Sequence, residues 1–229
     1  MRNLFASINQ IPSEVFSVIP EHLGEDKEDK SLITMSHVCR GWRELLIAYP
    51  SLWVRLDCAI TNKTRVYIER SKSSPLEISL RDCRSTDYHE DAFLLFVPHI
   101  SRLKSLNIYG SGKLLQNLKP HLSCPIPLLR KITISLTCSP DPTLDTTFSN
   151  AGLPSLRSLS LAGFVTDLPR KNLLKLTTFA LSQDIGGRIP ITQLLDFFEE
   201  AHHLRDITLR DSIPTSSNAP PGRVVSLPT

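Results

Sequence analysis

The sequence predicts an α/β protein in which a small helical domain precedes a run of alternating strands and helices. An apolar phrase of the form Leu-x-x-Leu-x-Leu recurs five times between Leu103 and Leu209, and such alternation suits short strands with one buried face. Two amphipathic stripes at helical spacing lie before Trp53, and both tryptophans, Trp42 and Trp53, belong to that opening segment. The expected boundaries are 8–54 for the helical domain, 55–211 for the repeated region and 212–229 for a tail.

The first helix opens at Ile11-Pro12-Ser13-Glu14. Pro12 suits a first turn, where its missing N–H costs nothing, and Ser13 with Glu14 sets an acceptor and a negative charge at the positive helix end. Val15, Val18, Ile19 and Leu23 then fall three and four apart, and Gly24 reads as a stop. Glu25 to Lys30 is a charged, solvated link. A second helix is expected from about Ser31 to Ala48, with Leu32, Met35, Cys39, Trp42, Leu45 and Leu46 on its apolar stripe. Pro50-Ser51-Leu52-Trp53 closes the segment. A domain this small cannot hide both stripes by itself, so the surplus apolar surface needs the rest of the chain or another protein.

The joint spacing of Pro12, Val38-Cys39-Arg40, Trp42-Arg43 and Leu52-Trp53 resembles an F-box, a three-helix module. The resemblance implies a role: F-boxes hold the Skp-family adaptor of cullin–RING ubiquitin ligases. It also implies that Ile11, Pro12, Val15, Ile19, Leu23, Val38 and Trp42 lie at or just behind the adaptor-binding surface.

The repeated phrases are Leu103-x-x-Leu106-x-Ile108, Leu129-x-x-Ile132-x-Ile134, Leu156-x-x-Leu159-x-Leu161, Leu176-x-x-Phe179-x-Leu181 and Leu204-x-x-Ile207-x-Leu209. They recur every 20 to 28 residues, and Leu76-x-Ile78-x-Leu80 is a shorter earlier copy. Helical stripes separate several of them: Phe93, Phe96, Val97 and Ile100; Leu114, Leu118 and Leu122; Ile191, Leu194, Leu195 and Phe198. One strand and one helix cannot enclose a core, so neighbouring units must share one. This period resembles leucine-rich repeats, which implies an irregular arc of parallel strands inside and helices outside. The turn positions where tidy repeats carry Asn or Cys hold Ser111, Thr137, Phe164, Asp184 and Ser212 instead. An F-box with degenerate repeats behind it is similar to F-box-like proteins of the fungal type. Leu227-Pro228-Thr229 echoes the Leu153-Pro154-Ser155 lead-in, so the tail is expected to be a loop ending at the threshold of a truncated further repeat.

Composition narrows the function classes. Residues 1–60 carry 6 Lys/Arg against 8 Asp/Glu and residues 61–229 carry 20 against 15, without basic runs, so nucleic acid is not an expected partner. Five widely separated cysteines, never in a C-x-x-C pair, fit neither a disulfide framework nor a zinc site. Reduced, mostly buried thiols in a cytoplasmic or nuclear protein are expected. The longest apolar run, around Phe93 to Val97, is too short for a bilayer, so no membrane partner is expected. Gly110-Ser111-Gly112-Lys113 lacks both the first glycine and the Ser/Thr of a phosphate loop, and no nucleophile elbow or metal-binding His motif occurs. No catalytic residue, cofactor or metal is therefore expected, and the chain is expected not to be an enzyme.

Two roles remain. In the first, the chain is a substrate receptor: the adaptor and, through it, cullin and RING subunits bind the F-box, and an unknown protein substrate sits on the repeats. The residues flanking the apolar positions then form the substrate surface, with Arg81, Asn107, Tyr109, Lys131, Thr133, Thr208 and Arg210 as contacts. That surface shows no arginine cluster of the kind that selects phosphorylated motifs. In the second, the repeats are a non-catalytic scaffold not engaged in ubiquitin transfer.

Overall fold

The structure is a computed structural model that describes residues 30–57, 61–81, 94–122, 124–138, 153–163, 168, 175–182 and 189–210. The expected first helix, with Ile11, Pro12, Val15, Ile19 and Leu23, lies outside the described residues, as does the tail from 211. The chain divides into two compact units, one containing residues 30–55 and 66–74 and the other 56–65 and 75–210.

In the helical unit, α1 spans Lys30–Ser36 and α2 spans Arg40–Ala48, followed by a 3₁₀ turn at Pro50–Trp53. The single helix expected from Ser31 to Ala48 is thus two helices. Its apolar periodicity runs on through the break, but local hydrogen bonding wins. Ser36 Oγ donates to the Ile33 carbonyl at 2.7 Å, and Val38 N donates to the Met35 carbonyl at 3.2 Å, tightening the last turn. Cys39 is fully extended and its Sγ accepts from Trp42 N at 3.5 Å, capping α2. Arg43 Nε donates to the Ser36 carbonyl at 2.9 Å, satisfying an orphan acceptor at the end of α1.

The core of this unit gathers on Trp53, which is fully buried. Its Nε1 donates to the Leu46 carbonyl at 2.9 Å, Tyr67 meets it edge-on at 5.0 Å, and the Arg70 guanidinium lies 4.4 Å from its ring centre. Tyr67 and Arg70 belong to α3, Thr61–Ser71, a helix that the apolar pattern does not announce. Its buried stripe is Thr64, Tyr67 and Ser71, two of them polar. Just beyond it Lys72 takes φ 49°, a left-handed conformation that favours glycine. Lys72→Gly is therefore expected to raise stability by about 0.5–1 kcal/mol, read from urea unfolding midpoints.

The second unit is built on a seven-stranded sheet: β1 Arg55–Asp57, β2 Leu76–Arg81, β3 Leu103–Ser111, β4 Lys131–Cys138, β5 Ser158–Gly163, β6 Thr178–Ser182 and β7 Asp206–Arg210. The strands lie side by side in chain order, and the sheet is parallel throughout. Each repeated phrase is one strand, with its apolar residues in rows. Ile78, Leu106, Ile132, Leu159, Phe179 and Ile207 are successive partners, as are Leu80, Ile108, Ile134, Leu161, Leu181 and Leu209. From β2 to β6 these residues are at most 2% exposed, whereas Leu209 on the last described strand is 46% exposed.

Among the described residues, two helices pack on this apolar face. Leu114, Leu115, Leu118 and Leu122 of α4, Gly112–Leu122, are buried. In α5, Ile191–Glu200, the buried pair is Leu194 and Phe197. Phe198, expected on the inner stripe, is only half-buried. Phe179 of β6 draws both rings in, with centroids 4.6 Å from Phe197 and 6.0 Å from Phe198. Of the stripe expected at Phe93, Phe96, Val97 and Ile100, Phe93 lies outside the described residues, and the rest ends as a 3₁₀ segment, Val97–Arg102, because Pro98 has no N–H to donate to a continuing helix. Among the described residues no helix is long and apolar enough to cross a membrane.

Candidate functional site

The opposite face of the sheet is polar and only partly covered, and parallel pairing sorts its side chains into three rows. Glu77, Ser105, Lys131, Ser158, Thr178 and Asp206 form the row nearest the strand starts. Ser79, Asn107, Thr133, Ser160, Ala180 and Thr208 follow, then Arg81, Tyr109, Ser135, Ala162, Ser182 and Arg210. Alternation explains the sorting, since residues two apart share a face and register keeps like with like.

All seven expected contacts, Arg81, Asn107, Tyr109, Lys131, Thr133, Thr208 and Arg210, lie on this one face. They do not form one cluster. Arg81 and Tyr109 are neighbours, the guanidinium 5.6 Å from the ring centre, and Asn107 Nδ2 donates to Ser79 Oγ at 3.3 Å between the same two strands. Thr133 and Lys131 continue onto β4. Thr208 and Arg210 stand on β7, five strands from Arg81, or roughly 24 Å at the usual interstrand spacing. Tyr109 is 40% exposed, with the Arg81 cation beside its ring. Among the described residues no group of three or more His, Cys, Asp or Glu is placed to hold a metal.

In the helical unit, Val38 sits in the turn between α1 and α2 and is 59% exposed. Ile33 and Ile47 are exposed as well, while Leu32, Met35 and Leu46 are buried. Trp42 is half-buried on α2. Cys39, expected on the buried stripe, is exposed because it caps the helix, and Cys124 is also exposed and free, so these two thiols depart from the mostly buried pattern expected of the cysteines. Arg40 bonds Glu44 at 2.7 Å, one turn along α2, and this hydrogen bond, then the carboxylate charge, raises the arginine's pKa.

One charged feature escaped the sequence reading. Lys104, Arg130, Arg157 and Arg205 each follow the first apolar residue of a phrase, and pairing brings them together at the strand starts. The recurring Leu-Lys/Arg dipeptide is the signal that could have found them. Just before β3, burial and then the nearby Arg102 charge lower the pKa of His99.

No protein-family model matches the chain, and no curated protein sequence matches it.

Proposed function

We propose that this chain is the substrate-recognition subunit of an SCF-type cullin–RING ubiquitin ligase, not itself catalytic. Its opening helices act as an F-box that grips a Skp-family adaptor, and its sheet unit acts as an irregular leucine-rich-repeat arc that holds a protein substrate. Catalysis then belongs to partner subunits, and the chain supplies proximity, raising the local concentration of substrate near the charged conjugating enzyme.

The observation that carries this reading is the apolar exposure of Val38, Ile33 and Ile47 within the segment that resembles an F-box. A helical unit that buries Leu46 and Trp53 yet leaves a valine 59% exposed has apolar surface to offer a partner. The repeat reading is supported by strands that follow chain order without reversal at a spacing of 20 to 28 residues.

Val38→Asp tests the reading directly. The side chain is exposed, so stability should change by less than about 0.5 kcal/mol. In an adaptor complex the charge would be buried unpaired, at a cost on the order of 2–5 kcal/mol. Purified wild-type chain is expected to capture adaptor and cullin, and Val38→Asp to lose at least tenfold in adaptor affinity with an unchanged melting temperature. Adaptor binding that ignores the substitution, or a wild type that captures no adaptor, defeats the proposal. Adaptor without cullin favours the scaffold role.

A further inference from the structure

The row of cations at the strand starts has a geometry of its own. Arg130 N donates to the Lys104 carbonyl at 2.8 Å, Arg157 N to the Arg130 carbonyl at 2.9 Å, Thr177 N to the Arg157 carbonyl at 2.9 Å, and Arg205 N to the Thr177 carbonyl at 2.9 Å. These bonds fix four cations and one threonine at the starts of successive strands, about 4.8 Å apart, in a line roughly 19 Å long. All four cations are exposed, and exposed Lys131 and Lys175 flank them. Lys104 is paired with Glu77 at 2.9 Å. Among the described residues no carboxylate lies within ion-pair distance of Arg130, Arg157 or Arg205.

Like charges on neighbouring strands repel, so the fold gains no stability from this arrangement. Thr177 occupies the same position just before β6 with the same backbone bonds, so no cation is needed there for pairing. The repulsion would be relieved by an anion from outside the chain.

We propose that this strand-start row binds an extended, Asp/Glu-rich segment of a partner protein. The cations stand singly, one per strand, with a gap at Thr177. Single carboxylates along an extended peptide match that distribution, and a guanidinium takes a carboxylate bidentately. A phosphate dianion is best held where several donors converge, which a one-per-strand row does not offer. Single-stranded nucleic acid calls for aromatic stacking platforms among the cations, and the row carries none. The inference is independent of the ubiquitin-ligase reading, since it concerns binding by the chain alone.

The test is fluorescence anisotropy of a fluorescein-labelled peptide of alternating Glu and Ser, titrated with the full chain at low salt. Saturable binding that weakens as salt rises is expected. Arg130→Glu with Arg157→Glu should weaken binding about tenfold or more, and Arg130→Gln with Arg157→Gln by less. Arg65→Glu with Lys72→Glu, exposed residues of and just beyond α3, changes the net charge equally and should leave affinity within about twofold. Thermal unfolding establishes that each variant is folded, and the glutamine pair decides the matter if the reversal pair is not. The proposal is overturned by absent binding to wild type, by equal loss in the row and control pairs, or by saturable binding of a phosphoserine peptide, an RNA oligomer or phosphatidylserine vesicles when the Glu peptide does not bind.

Discussion

Trp53→Ala is expected to destabilise the helical unit by about 3–5 kcal/mol. The indole is fully buried, so its removal leaves a large cavity among Leu46, Tyr67 and Arg70. The Leu46 carbonyl, near the end of α2, also loses its 2.9 Å indole bond and keeps only the longer one from Tyr49 N at 3.3 Å. Against a domain stability of roughly 5–15 kcal/mol, such a loss unfolds a substantial part of the population under mild denaturant. Trp53→Phe separates the contributions, because it retains most of the apolar volume and loses the hydrogen bond, at about 1–3 kcal/mol. Urea unfolding followed by the fluorescence of Trp42, which lies in the same unit, reads both variants. A change below about 1 kcal/mol for alanine would remove Trp53 from the centre of this core.

Gly163→Ala should be nearly as damaging, through the backbone rather than a cavity. Gly163 ends β5 at φ 80°, paired with Leu136 of β4. A Cβ there would lie 1.9 Å from the Leu136 carbonyl oxygen and 3.0 Å from its carbon, and a backbone carbonyl cannot rotate aside as a side chain can. The left-handed φ alone costs about 1–2 kcal/mol, and parting the strand ends should bring the total to about 3–4 kcal/mol. Ala162→Gly, one residue earlier, is the control, expected to cost about 1 kcal/mol or less. Equal melting temperatures for the two variants would show that the β4–β5 ends yield more readily than their geometry indicates.

What could be read in advance follows from how local each determinant is. The strands were legible because each phrase, such as Leu129-x-x-Ile132-x-Ile134, carries its own period of two, and all five phrases pair in the sheet. The α4 and α5 helices were legible for the same reason at a period near 3.6. Helix α3 was not, since Thr64 and Ser71 look polar in sequence and are buried only because they line the same helical face as Tyr67. The break between α1 and α2 was hidden by apolar periodicity that continues across it, while the deciding groups were one hydroxyl, one thiol and one distant guanidinium. The polar face could be listed residue by residue, but the neighbours of each residue depend on register. Lys104 and Arg130 are 26 residues apart in the chain, and only pairing makes them adjacent.

Strand order in the sheet also bears on synthesis. From β2 to β7, every strand leaves the ribosome with its preceding neighbour in the sheet already made, and its other partner is the next strand in the chain. Docking can therefore keep pace with translation, one unit at a time, with little nascent apolar edge left bare at any moment.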